Sequence, residues 1–466
     1  MSGTPISRPL AKPRSRSETA ARRVATGSER TVLGAVLVVA TFAKFAYCYH
    51  YLVVRALQPW SDFNNIDSIA VNLLGGIGWF DDITNLGSAR MPVTPLFEAG
   101  VYAVFGHSLF ALGVIQSLIW TAVAWLTFRL ADGVAGRSVA WIALVVTLFH
   151  PDTIVFAGLN AVETLAALWL MLIVSRVAVT PWWGMRRRDA VLVGLLSALS
   201  LLTVPTTIFY LILLGTVELW SAGHAGQVRA ACTNAAAAGA VVVLIFTPWV
   251  ARNYYVFHRF VPFSLEGGEN IYGANNPLAR GEVDNEFLVR DAHSYGVSTA
   301  EYSAIATRKA VDFIRHHPGA WLRLEGMKFA KIWTVKVPSL YQGRFLGRIP
   351  ELVAAPVTWA LLNLLLIAGT LYAQRSRAYL HVLLPIAGYV LFVLVFFSYP
   401  RYRVPYLSYY TLAAAYGATV GLGFLLDDVK RRIWLRPAIA LGWVAVMVGG
   451  WIWILQENFE KIRGAL

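Results

Sequence analysis

The feature that most constrains this chain is a succession of apolar runs, each about as long as a bilayer-crossing helix, for which about 20 residues suffice. They cover roughly 31–54, 108–130, 138–156, 161–180, 189–203, 204–219, 231–250, 352–373, 379–397, 404–425 and 434–455. The pair at 189–219 is divided at Pro205. Repeated runs of this length point to a polytopic membrane protein. Only 14% of the 466 residues are charged and 57% are hydrophobic, where a soluble chain carries about 25% charged residues. The expectation is an all-α polytopic membrane protein with about 11 (11–13) transmembrane helices, interfacial helices and external loops.

Orientation follows from the basic residues of the short loops. The first 30 residues hold Arg8, Lys12, Arg14, Arg16, Arg22, Arg23 and Arg30 against Glu18 and Glu29. Beside a membrane span this composition indicates a cytoplasmic tail near anionic lipid rather than a nucleic-acid site. With the N-terminus inside, "DGVAGR" (132–137), "WWGMRRRDA" (182–190), "HAGQVR" (224–229), "AQRSRA" (373–378) and "DDVKRR" (427–432) all fall inside, and all are basic. Four regions result: a basic tail (1–30), an N-terminal transmembrane module (31–250) with its first external loop at 55–94, an external region (251–350) and C-terminal transmembrane helices (351–466). Within the external region, short helices are expected at 300–316 and 318–334. A brief apolar segment at 95–105 suits the interface. Cys48 and Cys232 give neither a disulfide framework nor a metal spacing.

The stretch "SYPRYRVPY" (398–406) breaks the charge rule, because the alternation puts its arginines outside. Pro400 and Pro405 bias the residues before them away from helix. An extended segment would turn Arg401 and Arg403 to one face, as a two-guanidinium clamp suited to phosphate oxygens. The alternative is two arginines snorkelling to lipid headgroups.

Other external residues invite chemistry. A helix from Asp62 would bury Ile66, Ile69, Ala70 and Leu73 on one stripe. Asp62 would be either its N-cap or a general base at the water–membrane boundary, and Asp67 is the rival base. Asp81 and Asp82 are weak candidates for a divalent cation, or a solvated turn, and metal dependence stays open. Arg90 is a further external cation. Glu98, on the short helix, is expected to face solvent. Glu163, just inside the outer edge of a span, is expected to face a cavity or to pair with one of these arginines. Asn160 suits a helix cap, and Lys44 either snorkels outward or faces the bundle. In "TPWVARNYYVFHRFVPFSLEGGENIYGANNP" (247–277), Arg252 and Asn253 close a span. Gly267, Gly268, Asn270, Asn275 and Asn276 form either an ordinary turn or one whose N–H groups bind an anion or sugar hydroxyls.

These motifs, in this order, resemble those of bacterial members of the GT-C glycosyltransferase superfamily, in particular the group of dolichyl-phosphate-mannose–protein mannosyltransferases and aminoarabinose transferases. "SDFNNIDSIAVNLLGGIGW" is similar to the family's first-loop pattern, "ARMPVTPLFEAGVYAVFG" to its interfacial helix, and "NAVETLAAL" to its Ser-Glu span start. The 247–277 block is the most specific match, and "RYRVPY" resembles the family's closing motif. Two departures stand out: Ile66 where an aromatic is usual, and "LLTVPT" (201–206) with Val204 where an arginine is common.

The resemblance implies a GT-C fold and a polyprenyl-phosphate-sugar-dependent hexosyl- or pentosyltransferase. Such an enzyme would move the sugar, with inversion, to a glycan, lipid or protein acceptor on the non-cytoplasmic face of a bacterial plasma membrane. It implies Asp62 as general base and Arg401, Arg403, Arg252 and Arg90 as donor-phosphate ligands; Glu163, Asn253, Gly267, Gly268, Asn270, Tyr272, Asn275, Asn276 and Lys44 are the expected supporting residues. The lipid-linked sugar is a co-substrate, and no obligatory cofactor is implied. A transporter or flippase of lipid-linked sugars is the alternative. It would place polar or broken helices at mid-bilayer, whereas these residues gather at one face.

Overall fold

The computed structural model describes residues 27–59, 62–79, 90–283, 285–333, 348–373 and 376–457. Among them the chain is helical, without strands. Along the sequence come α1 (Gly27–Cys48, continuing as a π-helical turn Tyr49–Val54), α2 (Asp62–Leu74), α3 (Val93–Phe105), α4 (Leu109–Val134), α5 (Arg137–Phe149), α6 (Pro151–Gly158), α7 (Val162–Val177), α8 (Arg187–Thr203), α9 (Ile208–His224) and α10 (Val228–Phe257). They are followed by α11 (Glu266–Ala274), α12 (Asn285–Tyr295), α13 (Thr299–His316), α14 (Pro318–Ile332), α15 (Arg348–Leu371), α16 (Arg377–Val395), α17 (Leu407–Tyr416), α18 (Leu422–Lys430) and α19 (Leu435–Glu457).

Seven helical stretches among the described residues are long and apolar enough to cross a membrane, or eight when the bent pair α5–α6 is taken as one span. The chain is therefore a multi-pass membrane protein. Helices occupy all eleven expected positions, but α7, α8 and the apolar part of α15 (Pro356–Leu371) are each shorter than 18 residues. Eleven full spans are thus not established by length and composition. The outer faces suit lipid: Val39 and Phe42 on α1 and Val243 and Leu244 on α10 are each more than 60% exposed, an apolar surface that water would disfavour.

With lipid outside and apolar side chains inside, helices associate through close packing. At Gly369 on α15 an added Cβ would lie 2.0 Å from the Ala413 carbonyl of α17, so only glycine permits that approach. The core runs through α4, α5, α7, α15, α16 and α17, with Tyr379, Tyr389, Tyr406, Tyr409, Tyr410 and Trp359 buried within it.

The α5–α6 bend of 45° explains one charged residue. Pro151 has no N–H for the Thr147 carbonyl, and the Asp152 N–H turns to His150 Nδ1. The carbonyls so released are met from outside the ladder. Thr153 Oγ1 donates to Thr147 at 2.9 Å, and Lys44 Nζ donates to Leu148. Lys44 thus faces the bundle, as a structural donor satisfying backbone that lipid could not.

In the external region α13 and α14 coincide with the expected short helices. Ser298 and Glu301 form a reciprocal capping box at the start of α13. Lys328 on α14 is fully buried and donates to Asn275 Oδ1 and Glu325 Oε1, both at 2.8 Å, and to the Leu394 carbonyl at 3.3 Å. One ammonium thereby ties α14 to the end of α11 and the end of α16.

Candidate functional site

A cavity of about 400 Å³ opens where five sequence-distant stretches meet. They are the first external loop (Ile66, Arg90, Met91), the start of α7 (Val162), the α8–α9 break, the segment after α10, and the end of α16 with the segment that follows it. Loop counting puts all five on the same side of the membrane. Each has a local cause for its shape. Pro205 forces Val204 to be extended (φ −149°, ψ 119°), so α8 stops and α9 restarts after a short 3₁₀ turn. His258 ends α10 in the left-handed conformation (φ 51°), and α10 itself runs two turns beyond the span end expected at 250. Asn253, fully buried, accepts from Arg252 and donates to the carbonyls of Val261 and Phe263. It thereby folds 258–263 back over the cavity.

The cavity lining is mixed. Ile208, Phe209, Phe392, Phe396 and Phe397 contribute apolar surface. Ser264, Glu266 and Asn270 come from the stretch opening α11, and Arg90 and Arg401 add two guanidiniums. Arg90 pairs with Glu266 at 3.3 Å. Arg401 Nε pairs with Glu163 Oε1 at 3.0 Å, as expected for Glu163, and its guanidinium lies over the rings of Phe63 and Tyr402. Phe63 directly follows Asp62, the first residue of α2. The side chain of Asp62 lies outside the described residues. The Ile66–Ile69–Ala70 stripe is buried as expected, and Asn160, rather than capping a helix, donates to the Phe63 carbonyl at 2.6 Å.

Arg403 departs from the expectation. Residues Pro400–Tyr406 form a 3₁₀ helix, not an extended strand. With three residues per turn, positions i and i+2 diverge instead of sharing a face. Arg401 lines the cavity, whereas Arg403 is 2% exposed and sits 4.0 Å above the Trp359 ring, within the core. Trp359 in turn donates to Asp152 Oδ2 at 2.8 Å. The two-guanidinium clamp is not formed.

Several other expectations change. Asp67 accepts from Tyr102 Oη at 2.6 Å and meets His107 Nε2 at 3.0 Å, so α3 and the His107 turn engage it. Glu98 is buried, not solvent-facing, because α3 turns it toward Asp67 and Asn160; burial, and secondarily Asp67, hold its carboxyl well above the usual range. Arg252 lies over Trp249 and Phe257 and donates to Trp79, away from the cavity lining.

The Gly-rich stretch is helical, not a turn. An added Cβ at Gly268 would lie 2.0 Å from the Ser303 carbonyl, so this glycine serves the α11–α13 contact, while Gly267 and Asn270 line the cavity. Asn275 and Asn276 are fully buried and hydrogen-bonded to their own helix. Tyr272 packs in the core of the external helices, under the Lys309 ammonium. Asp81 and Asp82 lie outside the described residues. Among the described residues no group of three His, Cys, Asp or Glu side chains is placed to hold a metal.

Glu266 went unnoticed in the sequence, although "EGGE" placed two acids beside the glycines. Burial, then Glu266 one turn away, push Glu269 up to about 7.

No family model matches the chain, and no curated protein does. Solved structures do. The archaeal oligosaccharyltransferase AglB of Archaeoglobus fulgidus, in complex with an inhibitory peptide and a dolichol-phosphate, is 15% identical with a TM-score of 0.48; the match covers 91% of this chain and 55% of that one. The apo form of the A. fulgidus oligosaccharyltransferase gives 15% identity, a TM-score of 0.49 and the same coverage. ArnT of Cupriavidus metallidurans bound to undecaprenyl phosphate is 14% identical with a TM-score of 0.41, over 87% of this chain and 80% of that one. The chain spans about half the length of the oligosaccharyltransferases it matches.

Proposed function

We propose that the chain is a GT-C glycosyltransferase that moves a sugar, with inversion, from a polyprenyl-phosphate donor to an acceptor on the non-cytoplasmic face. The observation that carries this reading is one cavity lined both by apolar and aromatic side chains suited to a prenyl chain and by Arg90 and Arg401, suited to an anion. Guanidinium forks match phosphate oxygens and stay charged at any working pH. In the transition state the glycosidic bond to phosphate breaks and negative charge grows on the leaving oxygen. Cations already held in place stabilise that charge without reorganisation. Glu163, 3.0 Å from Arg401, sets the orientation of the guanidinium. Arg401 over Phe63 brings it next to the start of α2, where Asp62 is the assigned general base for the acceptor hydroxyl. Arg403 and Arg252 take structural roles in this reading.

The test is transfer by purified protein in nanodiscs, supplied with a panel of undecaprenyl-phosphate sugars and membrane-glycan acceptors. Wild type is expected to release undecaprenyl phosphate and glycosylate an acceptor. Asp62→Asn should lower the rate about 10²–10⁴-fold, the usual range for removing a general base. Wild-type transfer rates in Asp62→Asn would remove the base assignment. No release from any donor, with lipid movement across vesicles instead, would favour a flippase.

A further inference from the structure

A cavity built to hold a phosphate has an unexpected member. Among its described lining residues Glu266 is the one carboxylate, and it sits 3.3 Å from Arg90. A carboxylate beside an anion site weakens anion binding, both by repulsion and by engaging the cation the anion needs. Its presence calls for a partner that gains from a negative charge. Ser264 and Asn270 line the cavity from the same stretch, whereas the lining residues of α9 and α16, Ile208, Phe209, Phe392 and Phe396, are aliphatic and aromatic. Three hydrogen-bonding side chains from one short segment suit a polyhydroxylated group and not a hydrocarbon chain. Hydroxyl donors to an ionised carboxylate make shorter and stronger bonds than neutral pairs do.

We propose that Glu266, with Ser264 and Asn270, forms the sugar-recognition face of the cavity. On donor binding Arg90 exchanges the Glu266 carboxylate for the donor phosphate, and Glu266 accepts hydrogen bonds from the sugar hydroxyls. Glu266 is then a specificity-determining residue: it contributes to the sugar and opposes a bare lipid phosphate. The proposal rests on the donor reading above and adds the part of the donor that each wall contacts.

The test compares lipids of equal charge on the full-length protein in detergent. The probes are undecaprenyl methyl phosphate, a diester with no sugar, and the undecaprenyl phosphodiesters of glucose, mannose and arabinose. Wild type is expected to bind at least one sugar diester about tenfold or more above the methyl diester, the scale of a hydrogen bond to a charged group. Glu266→Gln should remove that preference while leaving methyl-diester affinity equal or higher, since Arg90 loses its competitor. Arg90→Ala should weaken all four lipids alike. Unchanged sugar preference in Glu266→Gln would overturn the proposal, as would a wild type that binds all four equally. Failure of wild type to bind any of the four would overturn the donor reading itself. Thermal melting of each variant separates lost binding from lost folding.

Discussion

Two ionic clusters at opposite ends of the bundle use the same residue types differently. At the end that the loop charges place inside, Glu218 is wholly buried. It takes hydrogen bonds from Arg377, from His381 Nε2 at 2.7 Å and from the Trp182 N–H at 2.8 Å, while Arg377 also reaches the Ala178 carbonyl. These partners come from α9, α16 and the turn after α7, so the cluster staples three elements. At the outer end Arg401–Glu163 and Arg90–Glu266 border a cavity of about 400 Å³. In the inner cluster the Glu218 carboxylate and the His381 ring are fully enclosed and only Arg377 is partly exposed, so rearranging it would strand a buried charge. The outer pairs have room beside them for an incoming anion. Buried ion pairs are therefore not evidence of function by themselves; the space next to them decides whether a charge is a staple or a ligand.

That contrast can be broken by mutation. The largest effect is expected from Glu218→Ala, which leaves Arg377 and His381 without their shared carboxylate. Removing one partner of a buried pair costs about 3–5 kcal/mol. Thermal melting should fall sharply, with donor binding per folded molecule retained. Next is Arg401→Ala: transfer per folded molecule should drop about 10²–10³-fold, the cost of deleting one preplaced charge-stabilising group, and melting should fall as well, because the buried Glu163 loses this guanidinium. If Arg401→Ala melted like Glu218→Ala and kept its turnover, the two clusters would be of one kind.

Glu163→Gln is expected to act through Arg401, so its loss should be smaller, about tenfold, the size of one hydrogen bond to a charged group. It should appear in kcat more than in the affinity for undecaprenyl phosphate. The smallest effect concerns Glu98. Its folded carboxyl titrates well above its unfolded value, because burial and Asp67 disfavour the charge. The folded state then holds a proton that the unfolded chain has released, so stability falls as pH rises above the unfolded value. Glu98→Gln should remove that dependence and raise stability at neutral pH by about 1 kcal/mol. A melting profile of unchanged slope between pH 5 and pH 8 would contradict it.

Much of this was legible in the chain. Apolar run length located the helices, because the bilayer imposes one period and one length. The Pro205 break, the α2 stripe and the Arg401–Glu163 pairing also followed from local pattern and from the cost of charge in lipid. What failed depended on distant partners. Pro400 and Pro405 rule out a regular α-helix but do not choose between extended and 3₁₀ backbone; Tyr399 is extended, whereas Val404 is not part of a strand. That choice sends Arg403 to Trp359, forty-four residues earlier, which no local pattern indicates. Glu98 was misjudged because a short helix in a polar loop suggests a wet face. Glu98 shares the buried face of α3 with Thr94, Ala99 and Tyr102, while Leu96 and Val104 take the exposed face. Asn275 and Asn276 looked like ligand amides but close their own helix, as asparagine often does near helix ends.

Whether the outer cavity holds a polyprenyl phosphate is tested most directly by photo-crosslinking with a diazirine-bearing polyprenyl phosphate in nanodiscs, followed by peptide mapping. Labels are expected on the lining residues Phe209, Phe392 and Phe396, lost in Arg401→Ala and competed away by unlabelled undecaprenyl phosphate. Labels spread over lipid-facing surfaces such as Phe42 and Leu244, insensitive to Arg401→Ala and to competition, would contradict it.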